Sequence, residues 1–494
     1  MSSKPSGKTP NPRAPRRGVE SAIIALVEIL LLYAMWNSGL PLPVSITFAL
    51  ISLIVSGTLI SRANGFPGGY GLYLVKTKRG LRTIDGMAVK HRRIWTAIVD
   101  WGFVLSFGIL SYVFFRKYVS RKMLALGTLS IIIFQIAILP YLAVSMSLVS
   151  LPRFAVQQQA TYTQSPGVTQ YLGVAFAVIS VIGGFASYMM AQLLFLAGIV
   201  IKDMALFAIN ALTSHGVTAT AQSLPAPAGV PVLILPFLEP QIALPLVLSL
   251  ILLITLHEVS HGVIARHSRI RLKSVGSILF GIIPAGAFVE PDEKSILKLP
   301  KMQQDKISIA GISMNMFLAA LSFVPLVLML YLVMPGIMAN HIVVTSTAPG
   351  SPAANASLAG STILEWNHHQ ISNLSDLETA ASSDHPGSTV VVTTQNRTLS
   401  LTANSTGKVG VFLSEESVPK SNDPVSSLVY FVYVFLALSF MLNFYLAVFN
   451  VLPIPFFDGF RIYKLNMNPR ILNLLVVATL AAFFLLFLPW LWSA

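Results

Sequence analysis

The feature that most constrains this chain is a series of apolar segments, each long enough to cross a lipid bilayer, recurring along most of its length. A helix of about 20 residues at 1.5 Å rise spans a hydrocarbon core of roughly 30 Å. Such segments fall at about 21–37, 42–61, 96–115, 123–148, 168–200, 238–264, 307–335, 425–450 and 470–491. The first is short and the fifth long, and Ala205 to Leu212 reads as a further half-helix. Only 11% of the 494 residues are charged, against about 25% in soluble domains. The expected fold class is therefore a polytopic α-helical membrane protein of about nine spans. There is no cysteine, which excludes disulfide scaffolds, thiolate metal sites and a cysteine nucleophile.

The net charge of +14 does not call for nucleic acid. The basic residues cluster between apolar runs, as the positive-inside rule describes, so the expected partner is the lipid bilayer. Residues 1–20, with Lys4, Lys8, Arg13, Arg16 and Arg17, read as a disordered cytoplasmic tail. Residues 21–236 form N-terminal membrane helices, with a second basic cytoplasmic segment at 62–95. The start of 265–306 (Arg266, Arg269, Arg271, Lys273) falls on the same side. One loop disagrees with this count: Arg116, Lys117, Arg121 and Lys122 land outside. Between 336 and 423, Ser, Thr, Asn and Gly replace the apolar runs, and Thr389 to Thr393 alternates like a strand. This reads as a small soluble domain. It holds every Asn-x-Ser/Thr sequon of the chain, at Asn355, Asn373, Asn396 and Asn404, in agreement with an extracytoplasmic position.

His257-Glu258-Val259-Ser260-His261 closes the apolar run from Ile242. On a helix, positions i and i+4 share a face, so both imidazoles can meet one ion with Glu258 beside them to handle a proton. Three ionisable groups within five residues of a membrane helix are costly unless paired or bound. A structural histidine pair at the membrane surface is the bland alternative. A catalytic zinc takes three protein ligands and leaves one position open. The third candidate is Asp458, which follows Pro453 and Pro455 where the helix from Val425 is broken; the competing reading is a helix-capping Asp in a simple loop. Non-helical backbone at membrane depth is tolerated where it packs in protein or lines a wet cavity. Asn315 and Asn450 suit either hydrogen bonding at the site or helix gluing. His267 reads as interfacial, His368 and His369 as solvent-facing turn residues, and Asp100 as a capping or packing group.

Taken together, the HEVSH run, the Asn450-to-Gly459 run NVLPIPFFDG and a soluble insert between later helices resemble the site-2 protease family of intramembrane metalloproteases, in an archaeal-type form. Gly311 to Asn315 is similar to that family's Gly-x-x-x-Asn helix entry, with Ile312 where proline is common. Gly281 to Glu293 is similar to the stretch after the metal helix. Pro349 to Ala354, Leu374 to Leu377 and Pro386-Gly387 resemble a protease-type PDZ domain, while Ser361 departs from its usual Gly-Asp pair. The likeness covers Phe237 to the C-terminus; before it only the basic stretch 69–85 resembles larger archaeal members.

The resemblance implies a protease core in two halves, 237–335 and 424–494, around a PDZ-like α+β domain at 336–423. It implies one zinc ion on His257, His261 and Asp458, with Glu258 as acid and base and Asn315 as a stabiliser of the reacting carbonyl. The implied substrates are single-span membrane proteins cleaved within their membrane segments, as in regulated intramembrane proteolysis. Ser274 to Val289 reads as a membrane-associated hairpin whose free edge takes an extended substrate. The rival classes are a transporter, which would spread polar groups over several helices, and an inert scaffold using the PDZ-like domain.

Overall fold

The computed structural model describes residues 14–38, 40, 42–115, 119–138, 166–213, 240–348, 350–420 and 423–493. Residues 1–13 of the expected tail, Arg116 and Lys117 of the discordant loop, and 139–148 of the fourth expected span lie outside them.

Apolar composition sets most of the architecture. Seven helices among the described residues are long and apolar enough to cross a membrane: Gly18–Met35, Val44–Asn64, Gly173–Ile209, Ile242–His267, Lys301–Leu332, Pro424–Asn450 and Pro469–Leu486. The chain is a multi-pass membrane protein. The expected span at 96–115 is instead two helices, because Gly108 takes φ 58° and ψ −143° and breaks the run. The expected half-helix at 205–212 belongs to one long helix, Pro166–Thr213, kinked at Gly184 with φ 66°.

In chain order the elements are α1 (Ala14–Trp36), α2 (Leu42–Asn64), β1 (Gly68–Gly69), β2 (Leu72–Thr77), α3 (Leu81–Lys90), α4 (Arg92–Phe107), α5 (Leu110–Phe114) and α6 (Arg121–Ile133). Then come α7 (Pro166–Thr213), α8 (Pro240–His267), β3 (Leu272–Phe280), β4 (Ile283–Pro291), α9 (Glu293–Ile296), α10 (Lys301–Leu332) and α11 (Met334–Ile337). The rest are β5 (Met338–Thr347), α12 (Pro352–Asn355), β6 (Thr362–Trp366), β7 (His369–Gln370), α13 (Leu374–Ala381), β8 (Thr389–Thr394), β9 (Thr398–Thr402), β10 (Val411–Pro419), α14 (Pro424–Asn450), α15 (Asp458–Asn466) and α16 (Pro469–Ser493).

These elements form two compact units. One comprises the chain up to Gly127 with Leu250–Phe317 and Leu446–Val476; the other comprises Thr128–Ser249, Leu318–Tyr445 and the chain from Val477. The first holds a four-stranded antiparallel sheet in the order β1-β2-β3-β4. Glycines dock this sheet on α2. A Cβ on Gly57 would lie 2.1 Å from the Gly71 carbonyl oxygen, and one on Gly281 would lie 2.5 Å from the Leu53 side chain. Only glycine permits such backbone approach.

The second unit contains a six-stranded sheet ordered β10-β5-β6-β8-β9, with β7 on β6. Alternating residues of β5 and β8 (Ile342, Val344, Val390, Val392) bury a core with Leu358, Ile363 and Trp366. Ser351 and Asn373 cap α12 and α13 by accepting from Ala354 and Asp376 backbone N–H groups. Asn367 and His368 both take positive φ, 48° and 64°, in the two-residue turn joining β6 to β7. Both residues of a type I′ turn need positive φ. His368 and His369 are exposed there.

Candidate metal centre

The first unit contains the HEVSH residues and Asp458. Helix α8 presents His257 and His261 one turn apart, and Asp458 arrives on the first turn of α15. The two Nε2 atoms are 3.3 Å apart, and Asp458 Oδ2 lies 3.1 Å from His257 Nε2 and 3.2 Å from His261 Nε2. Donors bonded to a tetrahedral zinc at about 2.0–2.1 Å sit about 3.3 Å from one another. The triangle has that size. Two neutral imidazoles and a carboxylate also suit zinc's preference for nitrogen and oxygen ligands, so the residues present fit the ion.

The atoms behind the donors hold the imidazoles in the needed form. His261 Nδ1 donates to the Ile307 carbonyl at 2.7 Å, which leaves Nε2 with its lone pair toward the site. His257 Nδ1 lies 3.0 Å from the Asn315 side-chain amide, and Asn315 is fully buried. The Asn315 Oδ1 atom otherwise has no hydrogen-bond partner. Turning that nearly symmetric amide over lets His257 Nδ1–H donate to Oδ1. Gly311, one turn before Asn315, completes the face. A Cβ there would lie 2.4 Å from His257 Cε1 and 2.5 Å from both Nε2 atoms. The imidazoles thus occupy the space that any larger side chain would fill.

Helix α10 is also tied to the helix carrying Asp458. Asn466, the last residue of α15, donates from Nδ2 to both oxygens of the fully buried Asp305 at 3.0 and 3.1 Å. Lys301 Nζ donates to the Leu465 carbonyl. On the other side, Lys306 pairs with Asp100 of α4 at 2.7 Å, and Gly102 lets α4 lie against Ser313. Asp100 is thus a packing group. The loop before α15 is equally tight, because Gly459 faces the Val451 and Asn450 carbonyls at distances no Cβ tolerates.

Glu258, half-buried beside the donors, accepts a hydrogen bond from the Val289 backbone N–H of β4 at 3.2 Å. The sheet is therefore tied to the acid–base candidate. Val289 pairs with Val275, Phe288 with Gly276 and Ala287 with Ser277. In an antiparallel ladder N–H groups alternate between the partner strand and the free edge. Since the Val289 N–H leaves the ladder for Glu258, the Ala287 N–H also points off the β4 edge. The other edge of the hairpin is covered by β2. Ser274 and Lys76 both donate to Glu290 and hold its carboxyl below the usual carboxylate range. Helix α3 packs Ile84 toward Gly262, pairs Asp85 with Arg266 and offers the Ala88 carbonyl to His267. His267 is accordingly a brace to α3.

Residues 245–488 match the sequence model of peptidase family M50, the site-2 protease family. This part of the chain belongs to that family. The chain is also 27% identical over 235 residues to an uncharacterized protein of Methanocaldococcus jannaschii, a stretch covering 47% of this chain and 58% of the relative. The match thus spans a little over half of that relative's length. The matched family is one of zinc-dependent peptidases, and the His-His-Asp cluster is compatible with such a metal.

Of the residues singled out from sequence, His257, His261 and Asp458 converge, Glu258 sits beside them and Asn315 touches His257. Asn450 ends α14 and contributes its carbonyl to the Gly459 contact. Sequence reasoning did not single out Asp305, the Ile307 carbonyl or strand β2. Asp305 left a signal, since it and Lys306 are adjacent charges at the entry of a membrane helix.

Proposed function

We propose that this protein is a zinc-dependent intramembrane endopeptidase that hydrolyses peptide bonds within membrane segments of single-span substrates. The donor triangle carries this reading: two histidines of α8 and an aspartate 197 residues from His261 meet at ligand spacing beside the Glu258 carboxylate. His257, His261 and Asp458 would hold a zinc ion, which would supply the Lewis acidity that makes water reactive at neutral pH. Glu258 takes a proton from the attacking water as its oxygen bonds to the scissile carbonyl carbon. The same carboxyl returns a proton to the amide nitrogen as the C–N bond breaks. Asn315 acts as a positioning residue, fixing the His257 tautomer and ring plane.

A helical substrate must be extended for its carbonyl to be attacked. Strand β4 favours that form, because its free edge offers the Ala287 N–H to an added strand while Val289 is tied to Glu258. We read the 338–419 sheet as PDZ-like and extracytoplasmic, on the resemblance of its motifs and its four sequons, with the N-terminus cytoplasmic. The decisive experiment is zinc content and cleavage of single-span substrates by the purified protein and by Glu258→Gln. Zinc-loaded wild type and a zinc-loaded, inactive Glu258→Gln are expected. Cleavage that survives Glu258→Gln refutes the mechanism, and a zinc-loaded wild type that cleaves nothing favours a scaffold.

A further inference from the structure

The loop that delivers Asp458 contains a conformation with no internal justification. Ile454 accepts a hydrogen bond from the Phe457 N–H at 3.1 Å, so residues 454–457 form a β-turn. Pro455 occupies the second position and Phe456, with φ 78°, the third. A turn with proline second and φ near +80° third is type II, and its third position belongs to glycine or asparagine. A bulky side chain there is strained.

Burial does not compensate for this strain. Phe456 is 102% exposed, the most exposed large apolar side chain among the described residues. Its neighbours behave differently: Val451 and Leu452 are fully buried, and Gly459 is locked against the backbone. The turn is thus held from both ends while one aromatic ring is pushed outward, two residues before a candidate zinc ligand. Contact with lipid does not explain this arrangement. Helices α14 and α16 expose Val425 and Leu474 to the surroundings at no backbone cost.

We propose that Phe456 is a specificity-determining residue that seats an apolar side chain of the substrate's membrane segment next to the bond to be cleaved. This rests on the peptidase reading above. The ring supplies a rigid apolar contact of large area, and the strained turn fixes its position relative to Asp458. An extended substrate held on β4 would present alternate side chains, and the proposal assigns one of those nearest the scissile bond to Phe456.

Two measurements test it. In the first, benzoylphenylalanine replaces Phe456 in the Glu258→Gln protein, reconstituted in lipid nanodiscs with a synthetic single-span peptide of about 20 Leu, Ala and Phe residues. Light-induced cross-linking to the peptide, competed by excess unlabelled peptide, is expected; cross-linking to lipid alone overturns the proposal. In the second, zinc content, kcat and KM are compared for wild type, Phe456→Gly and Phe456→Leu. Glycine suits φ 78°, so a residue that only shapes the turn would leave cleavage unchanged or raise thermal stability. The proposal expects unchanged zinc, a roughly 10- to 100-fold fall in kcat/KM carried by KM in Phe456→Gly, and substantial recovery in Phe456→Leu. Equal cleavage by wild type and Phe456→Gly overturns it. Cross-linking to the peptide by a protein whose wild type cleaves nothing supports the seat and sinks the peptidase reading instead.

Discussion

Gly311→Ala separates the stability of the fold from the integrity of the candidate metal centre. In a helix interior alanine is better than glycine by about 1 kcal/mol, so α10 itself gains. The cost falls on the donors. The added methyl would lie 2.4–2.5 Å from His257 Cε1 and from both Nε2 atoms, where ordinary contact begins near 3.4 Å. The two rings must retreat by about 1 Å, against a tolerance of roughly 0.2 Å for metal–ligand distances. They have little room to do so, since Ile307 and Asn315 hold their far nitrogens. Losing one outer-shell partner typically costs 10- to 100-fold in metal affinity. Displacing two donors together should cost at least about 100-fold, or about 2.8 kcal/mol at 1.4 kcal/mol per decade. The assay is competitive zinc titration against a chelator, alongside thermal unfolding of the metal-free protein in detergent. Affinity should collapse while the fold persists. Stoichiometric zinc at wild-type affinity in Gly311→Ala would falsify the close-packed geometry of the centre.

Three further perturbations probe the surroundings. Ala287→Pro removes an N–H directed off the β4 edge and spares the β3–β4 ladder, so cleavage should fall with zinc content kept; cleavage at the wild-type rate argues against strand addition at this edge. Ile282 and Ile283 are poorer sites for that test, because Ile282 lies in the turn and Ile283 is the first residue of β4, paired with Phe280. Asp305→Ala removes the two carboxylate acceptors of Asn466 and leaves its Nδ2 only the Ile462 carbonyl of its own helix, at about 1 kcal/mol; zinc affinity should drop as α15 loosens, with Asp305→Asn recovering part of it, and chelator titration reads the difference. Asn396, exposed in the turn between β8 and β9, should be modified when the chain is inserted into glycosylation-competent membranes. An Asn396→Gln variant that migrates like wild type, together with no glycan on any other sequon, would place the 338–419 domain on the opposite face.

What the sequence could reveal follows from the range of the interactions involved. His257 and His261 are legible because their meeting requires only one turn of a helix, and Asp458 because proline and a lone acid mark a broken helix in apolar surroundings. Helix ends are harder to read. The run 96–115 is apolar apart from Asp100 and a few hydroxyl residues, and nothing local shows that Gly108 turns it into two helices. The remaining features depend on partners distant in sequence. Asp305 and Asn466 are 161 residues apart, and neither side chain alone shows that they clamp two site helices together. Strand β2 pairs with β3 some 200 residues later, so a stretch that reads only as basic loop becomes the strand that covers one edge of the β3–β4 hairpin. Gly311 shows this dependence most directly. In sequence it is one small residue of a helix-entry pattern. In space it is where α10 has no side chain because two imidazoles from α8 already fill the volume. A motif therefore identifies the candidate metal donors, while the glycine that admits them is explained only once the helices are packed.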